Sequence, residues 1–160
     1  LQLAVYAATL ANGGTRYQPT LIKSVKSYDY SRTVMENEPK VAQKLDIDPD
    51  NLQTVVNAMQ SVADEGGTAA ATFANYPIPI AIKTGTAEHM GGKDFDGNDN
   101  DHSVIIAFAP ADDPEIAVAV VGECAGHGSA TAPVARDIFD AYFQGEGAME
   151  SVPAEYTLQK

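Results

Sequence analysis

One hundred and sixty residues fit one domain or part of one, and an apolar share of 44% supplies a core, which excludes a wholly disordered chain. Twenty-two Asp and Glu against ten Lys and Arg leave a net charge of -12, a surface that repels phosphate backbones and argues against nucleic acid as a partner. No apolar run approaches the ~18 residues needed to cross a bilayer, no signal-peptide pattern opens the chain, and the one cysteine, Cys124, excludes an intramolecular disulfide framework.

Apolar residues at 1, 4, 5, 8 and 11, widened by Leu3, Ala7 and Leu10, predict a first helix that is apolar nearly all round. It ends well at Asn12-Gly13-Gly14 but has no capping residue before it. A helix with a stop and no start is expected where a chain is cut inside an element, so the sequence reads as the C-terminal piece of something larger. Pro19 keeps the residues before it extended. Leu21 to Tyr28 reads as a short strand and 29–39 as an exposed polar excursion.

Asp48-Pro49 opens the clearest helix, with Leu52, Val55, Val56, Met59, Val62 and Ala63 on one face and Gly66-Gly67 as its stop. Residues 68–73 add a short helical turn. Ile80 to Glu88 is a predicted strand, followed by a polar loop over 91–101. Ser103 to Ala109 and Ile116 to Val121 are nearly continuous apolar strands around the turn Pro110 to Pro114, hence an antiparallel hairpin in a sheet covered on both faces. Thr131 and Pro133 open a last helix with Val134, Ala135, Ile138, Phe139, Ala141 and Tyr142 as its apolar stripe. The expected order is helix, helix, three strands, helix. Residues 1–144 form the domain part and 145–160 a partly ordered tail.

The strand at Ile80 carries Lys83-Thr84-Gly85-Thr86-Ala87-Glu88. Lys83 offers a positive charge and Thr84 a hydroxyl beside it. Gly85 lets a ligand backbone approach the strand, and an extended peptide could pair along it. A backbone N–H near Thr86 could face a developing oxyanion. Together these make one wall of an acyl-transfer site.

Lys-Thr-Gly is a motif of penicillin-binding proteins and serine β-lactamases, beside Ser-x-x-Lys and Ser-x-Asn. Lys83 to Glu88, His102-Ser103-Val104-Ile105-Ile106-Ala107-Phe108-Ala109-Pro110, Leu10-Ala11-Asn12-Gly13-Gly14, Gly66-Gly67-Thr68-Ala69 and Ala132-Pro133-Val134-Ala135-Arg136 together resemble the class B penicillin-binding proteins, the peptidoglycan D,D-transpeptidases. The resemblance runs from Leu1 to about Phe143. It implies an α+β fold, a partial penicillin-binding protein/β-lactamase-like fold with three of the family's five antiparallel strands flanked by helices. It implies that Lys83 and Thr84 bind the carboxylate of a D-Ala-D-Ala stem peptide or a β-lactam. Thr86 would give an oxyanion-hole N–H and pair with the substrate amide, and Gly85 would keep the strand surface open. No cofactor is implied. The parent would work on the extracytoplasmic face of the bacterial membrane, held by an anchor outside this sequence.

The sequence departs from the pattern in one large respect. No serine here has Lys three residues on or Asn two residues on. The nucleophile and the first two strands are therefore expected in a missing N-terminal part of the same domain, and this chain alone is expected to be inactive. Val104 stands where the family has an aromatic. A β-lactamase, a D,D-carboxypeptidase or a β-lactam sensor of the same fold remains an alternative, as does a non-catalytic module binding peptide or partner. A truncated sheet would leave an open edge favouring self-association.

Other residues read more plainly. Glu88 is expected to be solvated. The loop 94–101 starts like an EF-hand, but Asp99 replaces the required Gly and Ile105 the closing Glu, so a solvated acidic loop is expected. Cys124 and His127 lack a second ligand pair for zinc and read as a buried thiol and a loop histidine. His89 and His102 have no evident acid-base partner. Tyr142-Phe143 is expected in the core.

Overall fold

The computed structural model describes residues 1–88, Lys93 and 100–144. Helix α1, Gln2–Ala11, begins without a side-chain cap. It closes in a turn where Gly13 and Gly14 have φ of 79° and 98° and the Gly14 N–H reaches the Thr9 carbonyl at 2.8 Å. Left-handed backbone at a helix end suits glycine. Asn12 then grips Thr15 twice, its amide donating to the Thr15 carbonyl at 2.6 Å and its Oδ1 accepting from the Thr15 N–H at 2.8 Å.

That grip starts β1, Thr15–Tyr17, which pairs antiparallel with β4, Val41–Lys44. Between them β2, Ser24–Lys26, pairs antiparallel with β3, Thr33–Glu36. These two small sheets are absent from the expected element order. The strand read over 21–28 shrinks to three residues, and four residues of the polar excursion fold back as β3. Nearly every residue in the four strands is exposed, so no alternation between a core face and a solvent face marks them.

Helix α2, Pro49–Ser61, starts as expected. The Asp48 carboxylate accepts from the Asp50 and Asn51 N–H groups at 2.9 and 3.2 Å. Val56, Met59 and Ala63 are buried, while Val55 points outward. Gly66 has φ of 88°, and a Cβ on Gly67 would overlap the carbonyls of Ser61 and Val62, so the turn beyond α2 admits glycine there and little else. The short helix α3, Ala70–Phe73, follows.

The central sheet is antiparallel with order β5-β6-β7: Ala81–Ala87, His102–Ala109 and Ile116–Gly122. Its strands and the α+β arrangement are those expected. The Ala109–Pro110 peptide in the β6–β7 turn is cis. Helix α4, Ala132–Gln144, and α3 cover one face, where Phe73, Ile82, Ile105, Ala107, Val118, Ala135 and Phe139 form the larger core cluster. Helices α1 and α2 cover the other, around Val56, Met59, Ala81, Phe108 and Ala111. The stripe of α4 is narrower than expected: Ala132, Ala135 and Phe139 are buried, but Val134, Ile138 and Tyr142 are exposed. Phe143 packs at the core's margin, so only half of the Tyr142-Phe143 expectation holds. Nor is α1 enclosed on all sides; Leu1, Leu3 and Tyr6 face outward. The tail expected at 145–160 lies outside the described residues.

A polar cluster joins α3 to α4. The Tyr76 hydroxyl donates to Asp140 Oδ1 at 2.8 Å, the Arg136 guanidinium lies 5.4 Å from the Tyr76 ring centroid, and Arg136 Nη1 donates to the Thr72 carbonyl at 2.9 Å. Burial and the Asp140 carboxylate push the Tyr76 phenol up to about 12, against Arg136, which pulls it down. A raised phenol means that folding favours the neutral form. Its contribution is therefore full below pH 10 and lost as pH rises from about 10 through about 12. The stability advantage of the wild type over Tyr76→Phe, read from urea midpoints, is expected to shrink between pH 9 and pH 12.

Candidate active-site wall

The site is built on β5, an edge strand of the central sheet. Alternation along it places Ile82, Thr84 and Thr86 toward the α3/α4 side, and Ala81, Lys83, Gly85 and Ala87 toward the α1/α2 side. The core holds the strand at its start, where Ala81 and Ile82 are fully buried, and releases it from Gly85 onward. The motif thus begins in the core and ends in the open.

Lys83 is exposed, and its ammonium donates to the Thr84 carbonyl at 2.5 Å. Thr84 lies on the opposite face, 8% exposed, with its hydroxyl 2.7 Å from that of Thr68. The structure therefore brings Thr84 together with Thr68 and not with the Lys83 ammonium. On the Lys83 side a Cβ at Gly85 would meet only Val104, at an ordinary 3.8 Å, so among the described residues that flank of the strand is open. The Thr86 hydroxyl accepts the Gly128 N–H at 2.9 Å. Glu88 is exposed, as expected.

The loop between β7 and α4 is tied down beside this strand. Ser103, opposite Thr86 in register, is fully buried and donates to the Gly128 carbonyl at 2.9 Å; its oxygen lies 2.8 Å from the Thr131 hydroxyl. A Cβ on Gly128 would come within 2.7 Å of the Gly85 carbonyl oxygen, so the loop lies directly against the motif's backbone. Close approach of two backbones is the reason for glycine there. The Cys124 N–H donates to His102 Nδ1 at 2.9 Å, and the Gly126 N–H to the Asp101 carbonyl. One expectation is corrected by this loop. Cys124 is exposed, because its backbone turns left-handed at φ of 52° at the loop's surface, and the same backbone holds the His102 ring through its Nδ1. Among the described residues no group of His, Cys, Asp and Glu could hold a metal ion. His89 and most of the loop 94–101 lie outside the described residues.

Thr68, Ser103 and Gly128, which hold the motif strand and the loop beside it, were not among the candidate site residues. The Gly66-Gly67-Thr68 stop and the one serine opening an otherwise apolar strand were signals for the first two, and Gly128 had none.

The penicillin binding protein transpeptidase domain matches residues 1–140. The chain belongs to that family. Its relatives place it with the class B penicillin-binding proteins that its motifs resemble. It is 34% identical over 156 residues to penicillin-binding protein 2A of Bacillus subtilis, covering 90% of this chain and 22% of that protein. It is 38% identical over 157 residues to the peptidoglycan D,D-transpeptidase PbpA of Mycobacterium tuberculosis, covering 89% and 29%. The structure of penicillin-binding protein A from M. tuberculosis as its penicillin G acyl-enzyme complex superposes with a TM-score of 0.67 and 32% identity, over 88% of this chain and 31% of that one. The chain thus spans less than a third of the length of these relatives. Among the described residues no helix is long and apolar enough to cross a membrane.

Proposed function

We propose that this chain forms the Lys-Thr-Gly wall of a peptidoglycan D,D-transpeptidase whose nucleophilic serine comes from sequence outside these 160 residues. The observation that carries this reading is the edge strand β5, which presents Lys83 and Gly85 along an open flank. Residues 1–144 make up the domain part and 145–160 its tail.

In this reading the stem peptide lies along β5 as an added strand. Lys83 supplies a positive charge near its terminal carboxylate, and the hydroxyl of Thr84 or Thr86 donates to it. A hydroxyl has one proton and can accept as well, so Thr86 keeps its bond from Gly128 while donating outward. The incoming serine attacks the carbonyl carbon of the penultimate D-Ala. Negative charge grows on that oxygen and is met by the Thr86 N–H. The C–N bond breaks, D-Ala leaves as an amine with the proton, and an amine of a neighbouring strand then takes the acyl group from the serine. A β-lactam enters by the same route and stays as the ester. The work is extracytoplasmic.

Ser103 is the described serine placed opposite the motif, and its burial and its bonds to Gly128 and Thr131 remove it as a nucleophile. Intact-mass measurement after incubation with penicillin G tests the reading. The 160-residue chain is expected to keep its mass, and a polypeptide extended upstream to include Ser-x-x-Lys is expected to gain one penicillin. A covalent adduct on the chain alone would overturn the missing-nucleophile reading. A stable ester also separates the transpeptidase from a β-lactamase of the same fold, which would lose the adduct within minutes.

A further inference from the structure

The charge of this chain is not spread evenly. Residues 15–45 hold Arg16, Lys23, Lys26, Arg32, Lys40 and Lys44 against Asp29, Glu36 and Glu38, a net of +3 in a chain of -12. All six cations are exposed, and none forms an ion pair among the described residues. This stretch is the pair of small sheets, and among the described residues the β2–β3 hairpin pairs only with itself.

The tip of that hairpin is built. Asp29 Oδ1 accepts from the Ser27 hydroxyl at 2.6 Å, the Ser31 hydroxyl at 2.8 Å and the Ser31 N–H at 3.2 Å. Those hydroxyls, Ser27 first, hold the Asp29 carboxyl down at about 2, so the knot persists through ordinary pH. The Ser27 N–H reaches the Arg32 carbonyl and the Tyr30 N–H the Ser27 carbonyl, each at 2.9 Å. Tyr30 sits in left-handed backbone at φ of 57°, an unfavourable conformation for a tyrosine that this knot maintains. The outcome is that Tyr28 and Tyr30 stand out at 102% and 79% exposure, with Lys26 and Arg32 at the base of the turn. Burying neither ring serves the core. Fixed tyrosines give amphipathic contact area at little entropic cost, and nearby cations select an anionic partner.

We propose that the β2–β3 hairpin is a binding element for peptidoglycan strands, an anionic glycopeptide polymer whose sugar faces lie on Tyr28 and Tyr30 and whose stem-peptide carboxylates meet Lys26 and Arg32. The occupant follows from charge. Away from the single cation Lys83 on β5, a carboxylate-bearing polymer is repelled by the net acidic remainder of the chain, and this lobe is the net cationic stretch that attracts it. The proposal rests on the peptidoglycan reading of the strand β5, and it adds a second holding point for the same polymer.

The test is co-sedimentation of the 160-residue chain with purified insoluble peptidoglycan at physiological ionic strength. The wild type is expected to sediment. Lys26→Glu/Arg32→Glu and Tyr28→Ala/Tyr30→Ala are each expected to bind about tenfold more weakly. Asp113→Asn, an exposed change in the β6–β7 turn, is expected to bind as wild type. Thermal midpoints equal to wild type exclude unfolding, since every altered side chain is solvent-facing. Salt near 1 M is expected to weaken the wild type and leave the charge variant unmoved. Hairpin variants that sediment like wild type overturn the proposal, as does a wild type that stays in solution. Retention by phosphatidylglycerol vesicles without retention on peptidoglycan would assign the tip to lipid, and light scattering showing only hairpin-dependent self-association would assign it to a second copy; both overturn it. Sedimentation needs no serine and penicillin labelling needs no hairpin, so either reading can fail alone.

Discussion

Phe139→Ala is expected to destabilise the chain by about 3–5 kcal/mol, lowering the thermal midpoint by about 10 °C. Phe139 is fully buried and is the largest side chain that α4 sends into the sheet. Its ring meets Phe73 edge-on, centroids 6.3 Å apart at 71°, and Phe73 meets Tyr76 in the same manner at 5.6 Å and 82°. Three aromatic rings thus tie α4 to the α3 segment over Ile82, Ile105, Ala107 and Val118. Removing the Phe139 ring loses its transfer energy and leaves a cavity that rigid strands do not collapse into. Ile138→Ala, one residue away on the exposed side of the helix, is expected to cost under about 1 kcal/mol. Equal losses for the two variants, in denaturant titrations, would mean that α4 packs by a different face.

Lys83→Ala is expected to slow acylation by penicillin about 10- to 100-fold in the complete polypeptide. The lost interaction is a charge-assisted contact to the ligand carboxylate, about 1.5–3 kcal/mol, and each 1.36 kcal/mol is a factor of ten. Lys83 is exposed and, among the described residues, its ammonium bonds only to the strand's own Thr84 carbonyl, so the fold is expected to survive with an unchanged thermal midpoint. Lys83→Arg is expected to recover part of the rate, because it restores the charge at altered geometry. The effect separates a binding-wall role from a structural one. Stopped-flow or gel-based labelling rates give the number, and an unchanged rate in Lys83→Ala would remove the lysine from the site.

Legibility of this fold in its sequence follows the burial. Helix α2 was readable because Asp48-Pro49 starts it and Val56, Met59 and Ala63 fall on one face. Strands β6 and β7 were readable because both faces of the sheet are covered, which makes their sequences continuously apolar. Strand β2 was read only as part of a longer strand, and β1, β3 and β4 were not read, because Arg16 must find Gln43 across the chain and neither residue is buried. The width of the α4 stripe misled: Val134, Ile138 and Tyr142 have the right period, yet the sheet takes only Ala132, Ala135 and Phe139. At the site the contiguous Lys83-Thr84-Gly85-Thr86 motif was plain. Its supports were not, since Thr68 reaches Thr84 from 16 positions away and Gly128 reaches Thr86 from 42. Contacts made through backbone glycine leave no side-chain signature to read.

The central claim is that the open edge of β5 is where the reacting ligand lies. A crystal structure of the upstream-extended polypeptide acylated by penicillin G measures this directly. The account places the adduct along Ala81–Ala87, its carboxylate about 3 Å from the hydroxyl of Thr84 or Thr86 and its ester carbonyl at the same distance from the Thr86 N–H. An adduct bound on another element, with that edge of β5 touching only solvent, would contradict it.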